Sequence, residues 1–292
     1  MTRPLAALLG ALLLVSACDT ADPDIDPADL DAVATVASAL SVETGGALDD
    51  VALALGGDAY ADVRGPGHAG HGHAGGGGGA CDVTSDYDPD TGGLTRTVVC
   101  AHGLGGGPFS HTSTRSLVVY FVDAEGAPLP SHEGAASATF TLLEGTSEST
   151  GPHGSRTVTE TTGQGEVVGI DTDAMTLNAS GSRSGEYAVT YPNGATRSAT
   201  YTVTLDLADV TGPAPSPLGT AVFLRRWHLA TSGTASGVYT ADVTTTTAGG
   251  ATATTSVERT FEITFPVAGE GRGRLRMDGR EHGIDLGTGA VL

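Results

Sequence analysis

The feature that most restricts the fold is a two-residue alternation of apolar and polar side chains that recurs along most of the chain. In TYTVTL at 200–205, for example, apolar residues alternate with threonines. Successive side chains of a β-strand project to opposite faces, so this pattern predicts strands with one buried face and one solvated face. Similar segments, separated by turn sequences, run from residue 81 to residue 292.

An internal repeat reinforces this prediction. LNASGSRSGEY at 177–187 and LATSGTASGVY at 229–239 match at Leu, Ser, Gly, Ser, Gly and Tyr with a constant offset of 52 residues. Each copy is followed by a turn and a return strand, TYTVTL at 200–205 and TFEITF at 260–265. The repeat predicts a duplicated hairpin unit within one sheet, because a solenoid needs at least about three copies.

Two hairpin turns are predicted within this region. Asn193-Gly194 suits a two-residue turn that requires positive φ at both central positions, and a final hairpin is expected to turn at Asp278-Gly279. With the other alternating segments they predict about ten to twelve strands, nearly all antiparallel. We therefore expect a mainly β protein built on a large antiparallel sheet, a sandwich or an incomplete barrel. The sequence does not choose among these three.

Helical periodicity precedes the β region. Asp26 suits an N-cap with Pro27 at the first helical position, and apolar residues then recur at helical spacing to about Ser41. A second, shorter segment around 48–55 is bracketed by Gly45-Gly46 and Gly56-Gly57. We expect these two short helices to pack on each other or on the β body.

Two cysteines lie at positions that would face each other in one hairpin. When the paired positions sum to 181, Cys81 faces Cys100, and the turn falls on DPDTGG at 88–93. Two cysteines that meet across a hairpin in an oxidising compartment are expected to form a disulfide. Free thiols with a metal or redox role are the alternative.

The N-terminal segment has the features of a secretory signal. Arg3 precedes an apolar run over 5–15, which is shorter than the roughly 20 residues that span a bilayer. Val15-Ser16-Ala17-Cys18 resembles the lipobox of bacterial lipoproteins. The resemblance implies that Cys18 is lipidated and begins the mature chain, anchored in the bacterial envelope, with the outer membrane or cell surface favoured over the inner membrane. The mature body otherwise resembles uncharacterised Thr/Gly-rich β lipoproteins.

These features divide the chain into four regions. We expect a signal peptide at 1–17, an acidic leash with short helices at 18–64, a Gly/His-rich linker at 65–80 and an antiparallel β domain at 81–292. The chain contains 14 arginines, no lysine and 34 acidic residues, which gives a formal net charge of −20. Such an acidic surface repels phosphate backbones, so a nucleic-acid partner is excluded and the membrane contact is assigned to the lipid alone.

Histidines are the residues most suggestive of chemistry. His68, His71 and His73 form an H-x-x-H-x-H string in the linker, and His102 and His111 follow in the β region. Imidazole is a ligand for Zn²⁺, Cu²⁺ and Ni²⁺. A glycine-rich segment loses conformational entropy on binding, which limits its affinity, and the string is also consistent with a plain spacer.

No catalytic motif is found. The string that comes nearest to a nucleophile elbow, GSRSG at 181–185, carries Arg183 at the nucleophile position. We therefore expect a non-enzymatic, lipid-anchored envelope protein without a required cofactor, whose β domain binds or scaffolds an unknown protein or small-molecule ligand. The alternative is a transition-metal-binding lipoprotein that uses the cluster of His68, His71 and His73, with His102 and His111 as further candidate ligands.

Overall fold

The computed structural model describes residues 27–42, 44–56, 80–103, 110–172, 174–213, 227, 229–265 and 271–292. Two α-helices precede one large antiparallel sheet of twelve strands, which confirms the predicted fold class. The helices are α1 (Pro27–Leu40) and α2 (Ala47–Gly56). The strands are β1 (Ala80–Asp88), β2 (Gly93–Gly103), β3 (Ser110–Val122), β4 (Pro128–Leu129), β5 (Ser137–Gly151), β6 (Gly154–Val168), β7 (Ala174–Thr190), β8 (Thr196–Pro213), β9 (Ser232–Thr246), β10 (Thr252–Thr264), β11 (Arg272–Met277) and β12 (Arg280–Asp285).

The sheet is a meander in which strands pair in the order of the chain. The two-residue β4 is the exception to this order. Both β4 and β5 pair with β3, and the sheet continues through β5. The sheet is not closed into a barrel, and β1 and β12 stand at its two ends. The C-terminal residues cover β12: Val291 bridges to Ile284, and the Leu292 amide donates to the Gly283 carbonyl at 2.8 Å.

Both helices pack on the same face of the sheet, which we call the helix face. Helix α1 contacts β9 and β12, and α2 contacts β3 and β5. Helices and strands contribute to one hydrophobic core, as expected from the apolar helical segments. Its largest fully buried side chains include Leu40, Leu48, Leu53, Leu55, Leu117, Phe121, Leu177, Trp227, Tyr239 and Ile263.

The glycines predicted between the helices form the turn that follows α1. Gly45 has φ of +73°, and the Gly46 amide donates to the carbonyl of Ser41, the residue after the helix, at 2.7 Å. A Cβ on Gly46 would lie 2.4 Å from the Leu40 carbonyl carbon. The chain can therefore reverse here and start α2 within a few residues.

The first hairpin has the predicted register. Cys81 pairs with Cys100 and the two form a disulfide, and Tyr87 pairs with Leu94 around a turn between β1 and β2. Within that turn the Asp88 carboxylate accepts hydrogen bonds from the Asp90 amide at 2.9 Å and from Thr91 Oγ1 at 2.8 Å. These hydrogen bonds lower the pKa of Asp88, because they favour the ionised carboxylate.

The internal repeat corresponds to two successive hairpins, β7–β8 and β9–β10. In each, a glycine at the same position of the repeat lies opposite an aromatic residue, Gly185 opposite Tyr201 and Gly237 opposite Phe261. A Cβ on Gly237 would lie 1.9 Å from the Thr204 carbonyl oxygen and 2.8 Å from the Phe261 ring. The repeated glycine is thus needed because an aromatic ring and a neighbouring backbone occupy the space of its side chain.

One predicted turn differs from the observed one. Gly194 has φ of +81°, but Asn193 does not have positive φ, so the expected two-residue turn with positive φ at both positions is wrong. The Gly194 amide donates to the Tyr191 carbonyl at 2.9 Å, which makes Pro192 the second residue of a four-residue turn. Proline fixes φ near −65° and so excludes positive φ at that position. The final hairpin turns at Asp278-Gly279 as predicted, and both φ values there are positive.

The glycine–aromatic pairs give a stability prediction. Gly237→Ala is expected to lower the free energy of unfolding by about 1–3 kcal/mol, because the added methyl group overpacks against Thr204 and Phe261. Urea unfolding followed by circular dichroism measures the change. Gly249→Ala is the matched control, since its nearest neighbouring atom would lie 3.9 Å away. Equal stability of the two variants would contradict this interpretation.

Candidate functional site

The sequence-predicted site residues fall into two groups. Cys18, His68, His71 and His73 lie outside the described residues. Cys81 and Cys100 form the disulfide on the helix face, where both are buried. The lipidation site and the histidine string therefore remain predictions, whereas the disulfide is confirmed.

Two histidine positions, one on the second strand and one on the third, are paired in the sheet. His102 on β2 and His111 on β3 are direct partners in the antiparallel register. His111 is half-buried, and its Nδ1 lies 2.7 Å from Ser149 Oγ on β5, within hydrogen-bonding distance. Ser149 is the register partner of His111 on that side, so the three positions form one row across β2, β3 and β5.

The other described histidines have structural surroundings. His132 stacks edge-on against Phe121, and burial together with the nearby Arg96 charge lowers its pKa. Burial and Arg280 likewise lower the pKa of His282. His153 is exposed in the β5–β6 turn. Within the described parts of the chain, no group of three or more His, Cys, Asp or Glu side chains is arranged to hold a metal ion.

Sequence reasoning missed a set of arginines that lie beneath the helices. Arg115 on β3 donates to Asp49 Oδ2 at 2.5 Å and to the Gly45 carbonyl at 2.7 Å. Arg183 on β7 donates to the same Gly45 carbonyl, and Arg96 on β2 donates to the Leu53 carbonyl at 3.0 Å. These arginines occupy the same alternate positions of their strands as the buried apolar residues, and this pattern could have predicted that they face the helices.

Helix α1 is held to the sheet in the same way near its N-terminus. Asp31 Oδ2 accepts hydrogen bonds from Arg197 at 2.8 Å and from the Tyr187 hydroxyl at 3.0 Å. Burial and the Asp31 charge raise the pKa of Tyr187, so its hydroxyl stays protonated as the donor. Arg259 pairs with Asp29 at 2.9 Å. Both acidic residues lie in the first turns of the helix, where negative charge also complements the helix dipole.

Asp50 occupies an unusual place in this network. It borders a cavity of about 40 Å³ between the helices and the sheet, lined also by Phe140, Leu142 and Arg183. Its Oδ1 is buried, has no hydrogen-bond partner and lies 3.4 Å from the Arg115 guanidinium. Burial raises the pKa of Asp50 to about 6, against the lowering influence of Arg115 and Arg183.

The face of the sheet opposite the helices, which we call the outer face, carries the acidic residues. In the described strands β1–β10, arginines occur only on the helix face, whereas acidic side chains project outward and are exposed. Exposed arginines of the outer face lie on β11, at Arg272, Arg274 and Arg276. The outward acidic residues of β1–β10 include Asp82, Asp86, Asp88, Glu144, Glu148, Glu160, Glu166, Glu186, Asp206, Asp242, Glu258 and Glu262.

Hydroxyl groups fill the space between these carboxylates. Cross-strand pairs include Thr162 with Ser182, and Ser184 with Thr202, each at 3.0 Å. A shallow groove of about 300 Å³ crosses β6 to β9 and is lined by Thr157, Glu186, Thr200, Asp242 and Thr244, among others. In this groove Thr200 is the register partner of both Glu186 and Asp242. The arrangement offers hydrogen-bond acceptors and two negative charges to a ligand.

Comparison with known proteins gives no assignment. No protein family model, no curated protein and no solved structure matches this chain. Neither described helix has both the length and the apolar character needed to cross a membrane.

The buried carboxylate predicts a specific pH dependence. Because the folded-state pKa of Asp50 lies near 6, above the ordinary 3.8, its ionisation costs stability that is recovered as pH falls through 6. The unfolding free energy of Asp50→Asn minus that of wild type is expected to increase by about 1 kcal/mol between pH 5 and pH 8, because only wild type has the buried carboxyl group to ionise. Urea unfolding at both pH values measures it. Asp90→Asn, at an exposed carboxylate, is the control, and an unchanged difference for Asp50→Asn would refute the assignment.

Proposed function

We propose that this protein is a non-enzymatic, lipid-anchored protein of the bacterial envelope, whose outer face binds or scaffolds a partner at the cell surface or in the periplasm. The observation that carries the proposal is the open sheet with one solvated face. A carrier of small molecules is expected to enclose its ligand in a mostly apolar cavity. Of the two concavities described above, the groove on the outer face is the larger, and it is open and lined by hydroxyl and carboxylate groups.

The charge distribution supports a positively charged partner. The groove residues Glu186 and Asp242 lie in a field of outward acidic side chains, and within the described strands the arginines of that face are confined to β11. Opposite charge on a partner increases the rate of association and favours correct orientation. A basic protein surface matches these features, whereas nucleic acids and anionic headgroups are repelled.

The proposed localisation in the cell envelope is supported by two further observations. Residues 1–18 have the organisation of a lipoprotein signal ending in Cys18. The Cys81–Cys100 disulfide is the kind of bond that persists in oxidising compartments outside the cytoplasm. Both features support a protein that is exported and then tethered, with the outer membrane or cell surface as the favoured place.

Binding at the outer face is tested with a labelled nona-arginine peptide as a basic probe. The triple variant Glu186→Gln, Asp242→Asn, Glu258→Gln is expected to bind the peptide at least about tenfold more weakly than wild type, with a smaller salt dependence. Fluorescence anisotropy at several salt concentrations measures both. The control, Asp90→Asn, Glu125→Gln, Glu133→Gln, removes the same charge from turns and loops. Equal loss in the two variants would overturn the assignment to this face.

Lipid anchoring is tested separately. Cys18→Ser is expected to move the protein from the membrane fraction to the soluble fraction, because two or three acyl chains are needed for a durable anchor. Immunoblotting of fractionated cells measures the distribution, and Cys81→Ser serves as a cysteine control that should stay membrane-bound. Retention of Cys18→Ser in the membrane would show that the anchor is wrongly assigned.

A second candidate function is binding of a transition-metal ion through His68, His71 and His73. One observation favours it: β1 begins at Ala80, whose register partner Ala101 immediately precedes His102. In the sequence, His73 lies seven residues before Ala80, so the string precedes a strand that pairs next to a histidine position. Zinc calorimetry on a variant with all three linker histidines changed to alanine tests this candidate.

A further inference from the structure

We propose that the open edge of β1, the edge that faces away from β2, is a docking site for an extended segment of another protein in which basic and apolar residues alternate. The segment would add one strand to the sheet, antiparallel to β1. Within the described parts of the chain, β1 pairs only with β2. The opposite end of the sheet differs, because Val291 and Leu292 pair with β12. An open edge is a template for a further strand.

The register of the first hairpin identifies the backbone groups that point to the open edge. Cys81 and Cys100 are partners with Cα atoms 4.0 Å apart, which is typical of a non-hydrogen-bonded pair, since hydrogen-bonded pairs are about 5.5 Å apart. The two kinds of pair alternate along the strands, so Val83, Ser85 and Tyr87 are also in non-hydrogen-bonded pairs. The amides and carbonyls of these three residues therefore point away from β2, toward an added strand.

The side chains of the same residues favour an apolar face on the added strand. Val83 and Tyr87 are half-buried and pack against the hydrophobic core on the helix face. In an antiparallel pair, directly opposed residues project to the same face of the sheet. Apolar residues opposite Val83 and Tyr87 would therefore cover these two side chains and extend the core by one strand.

The outer face of β1 determines the charge of the partner. Asp82 and Asp86 project from this face and are exposed. With an added strand they would be in non-hydrogen-bonded pairs, in which opposed side chains approach most closely. Acidic residues opposite these aspartates would repel them, whereas arginine or lysine would form cross-strand ion pairs. The partner is therefore expected to carry basic residues at alternate positions.

A second copy of this chain fits the edge less well. If two β1 strands paired antiparallel about Thr84, Asp82 of each strand would lie opposite Asp86 of the other. A two-fold axis at Asp86 would place two aspartates in direct opposition. Like charges at opposed positions are destabilising, and charged residues often protect edge strands from self-association in this way. The edge therefore favours a partner of different sequence.

Strand β11 shows that this sheet accommodates a strand of the proposed kind. Its sequence, RGRLRM, has exposed arginines at alternate positions and buried residues between them. Arg276 of β11 lies opposite Glu262 of β10 and Glu281 of β12. A strand with basic and apolar residues in alternation is thus already paired with acidic neighbours inside the molecule.

The test is binding of a labelled octapeptide of alternating arginine and valine, with blocked ends, to the full mature chain. We expect saturable binding that weakens at least about tenfold when the valines are N-methylated, because N-methylation removes the donors to β1 and leaves the charge unchanged. Fluorescence anisotropy measures both affinities. No saturable binding, or equal binding of the two peptides, would overturn the proposal.

Variants of β1 locate the site. Ser85→Pro is expected to weaken binding at least about tenfold, because proline removes an amide at the open edge and no donor to β2. Ser85→Ala keeps that amide and is the matched control, which should bind as wild type does. The double variant Asp82→Asn, Asp86→Asn is expected to bind about three- to tenfold more weakly, since two ion pairs are lost. Equal binding by Ser85→Pro and Ser85→Ala would contradict the edge site.

The groove variant Glu186→Gln, Asp242→Asn, Glu258→Gln distinguishes this site from the groove on the outer face. It should bind the octapeptide within about twofold of wild type, because the groove lies on β6 to β9 and not at β1. Loss of octapeptide binding in this variant, with wild-type binding by Ser85→Pro, would place the peptide in the groove and overturn the edge site. The edge site and the groove can therefore fail independently.

Hydrogen exchange measured by NMR identifies any other occupant of the edge. In the protein alone, the amides of Val83, Ser85 and Tyr87 should exchange rapidly, whereas those of Thr84 and Asp86 should be protected by β2. The octapeptide should slow exchange of the first three at least about tenfold. Protection of these three amides without peptide would overturn the proposal. Protection that depends on protein concentration would indicate a second copy, and protection that does not would indicate a segment of the same chain.

Discussion

Arginines beneath two helices determine how this molecule is arranged, because a buried guanidinium has to be matched by acceptors at fixed positions. Arg115 and Arg183, on separate strands, converge on the carbonyl of Gly45, which lies in the turn between the two helices. Arg115 also pairs with Asp49 at the start of the second helix. The turn between the helices is thereby fixed over particular strands. Hydrophobic contacts alone would not specify its position as closely.

The same arrangement explains why the two faces of the sheet differ so strongly. Most arginines of the strands are used to hold the helices, and their charge is matched by helix carboxylates such as Asp31 and by the Gly45 carbonyl of the turn between the helices. The acidic side chains of the strands remain outside and have few cations nearby, apart from those on β11. A chain with a large negative charge thus concentrates that charge on one broad surface, and this surface is the basis of the proposed function.

Local patterns predicted local structure well. The alternation identified the strands. A hairpin in which paired positions sum to 181 placed Cys81 opposite Cys100, because one short turn fixes the register of a hairpin. The turn at Asn193 was wrong since Pro192 sets a different geometry. The buried arginines could not be matched to partners from sequence, because Arg183 meets Gly45 across 138 residues and Arg115 meets Asp49 across 66. Likewise, periodicity did not reveal the register that joins His102 and His111 to Ser149.

The meander also implies an order of folding. Nearly every strand pairs with its immediate neighbour in the chain, so the sheet can grow strand by strand from short loop closures. The helices cannot follow that order, although they precede the sheet in the sequence. Asp29 of α1 meets Arg259 of β10 across 230 residues. The helical segment is therefore expected to complete its native contacts last, because it can dock fully only after the whole sheet has formed.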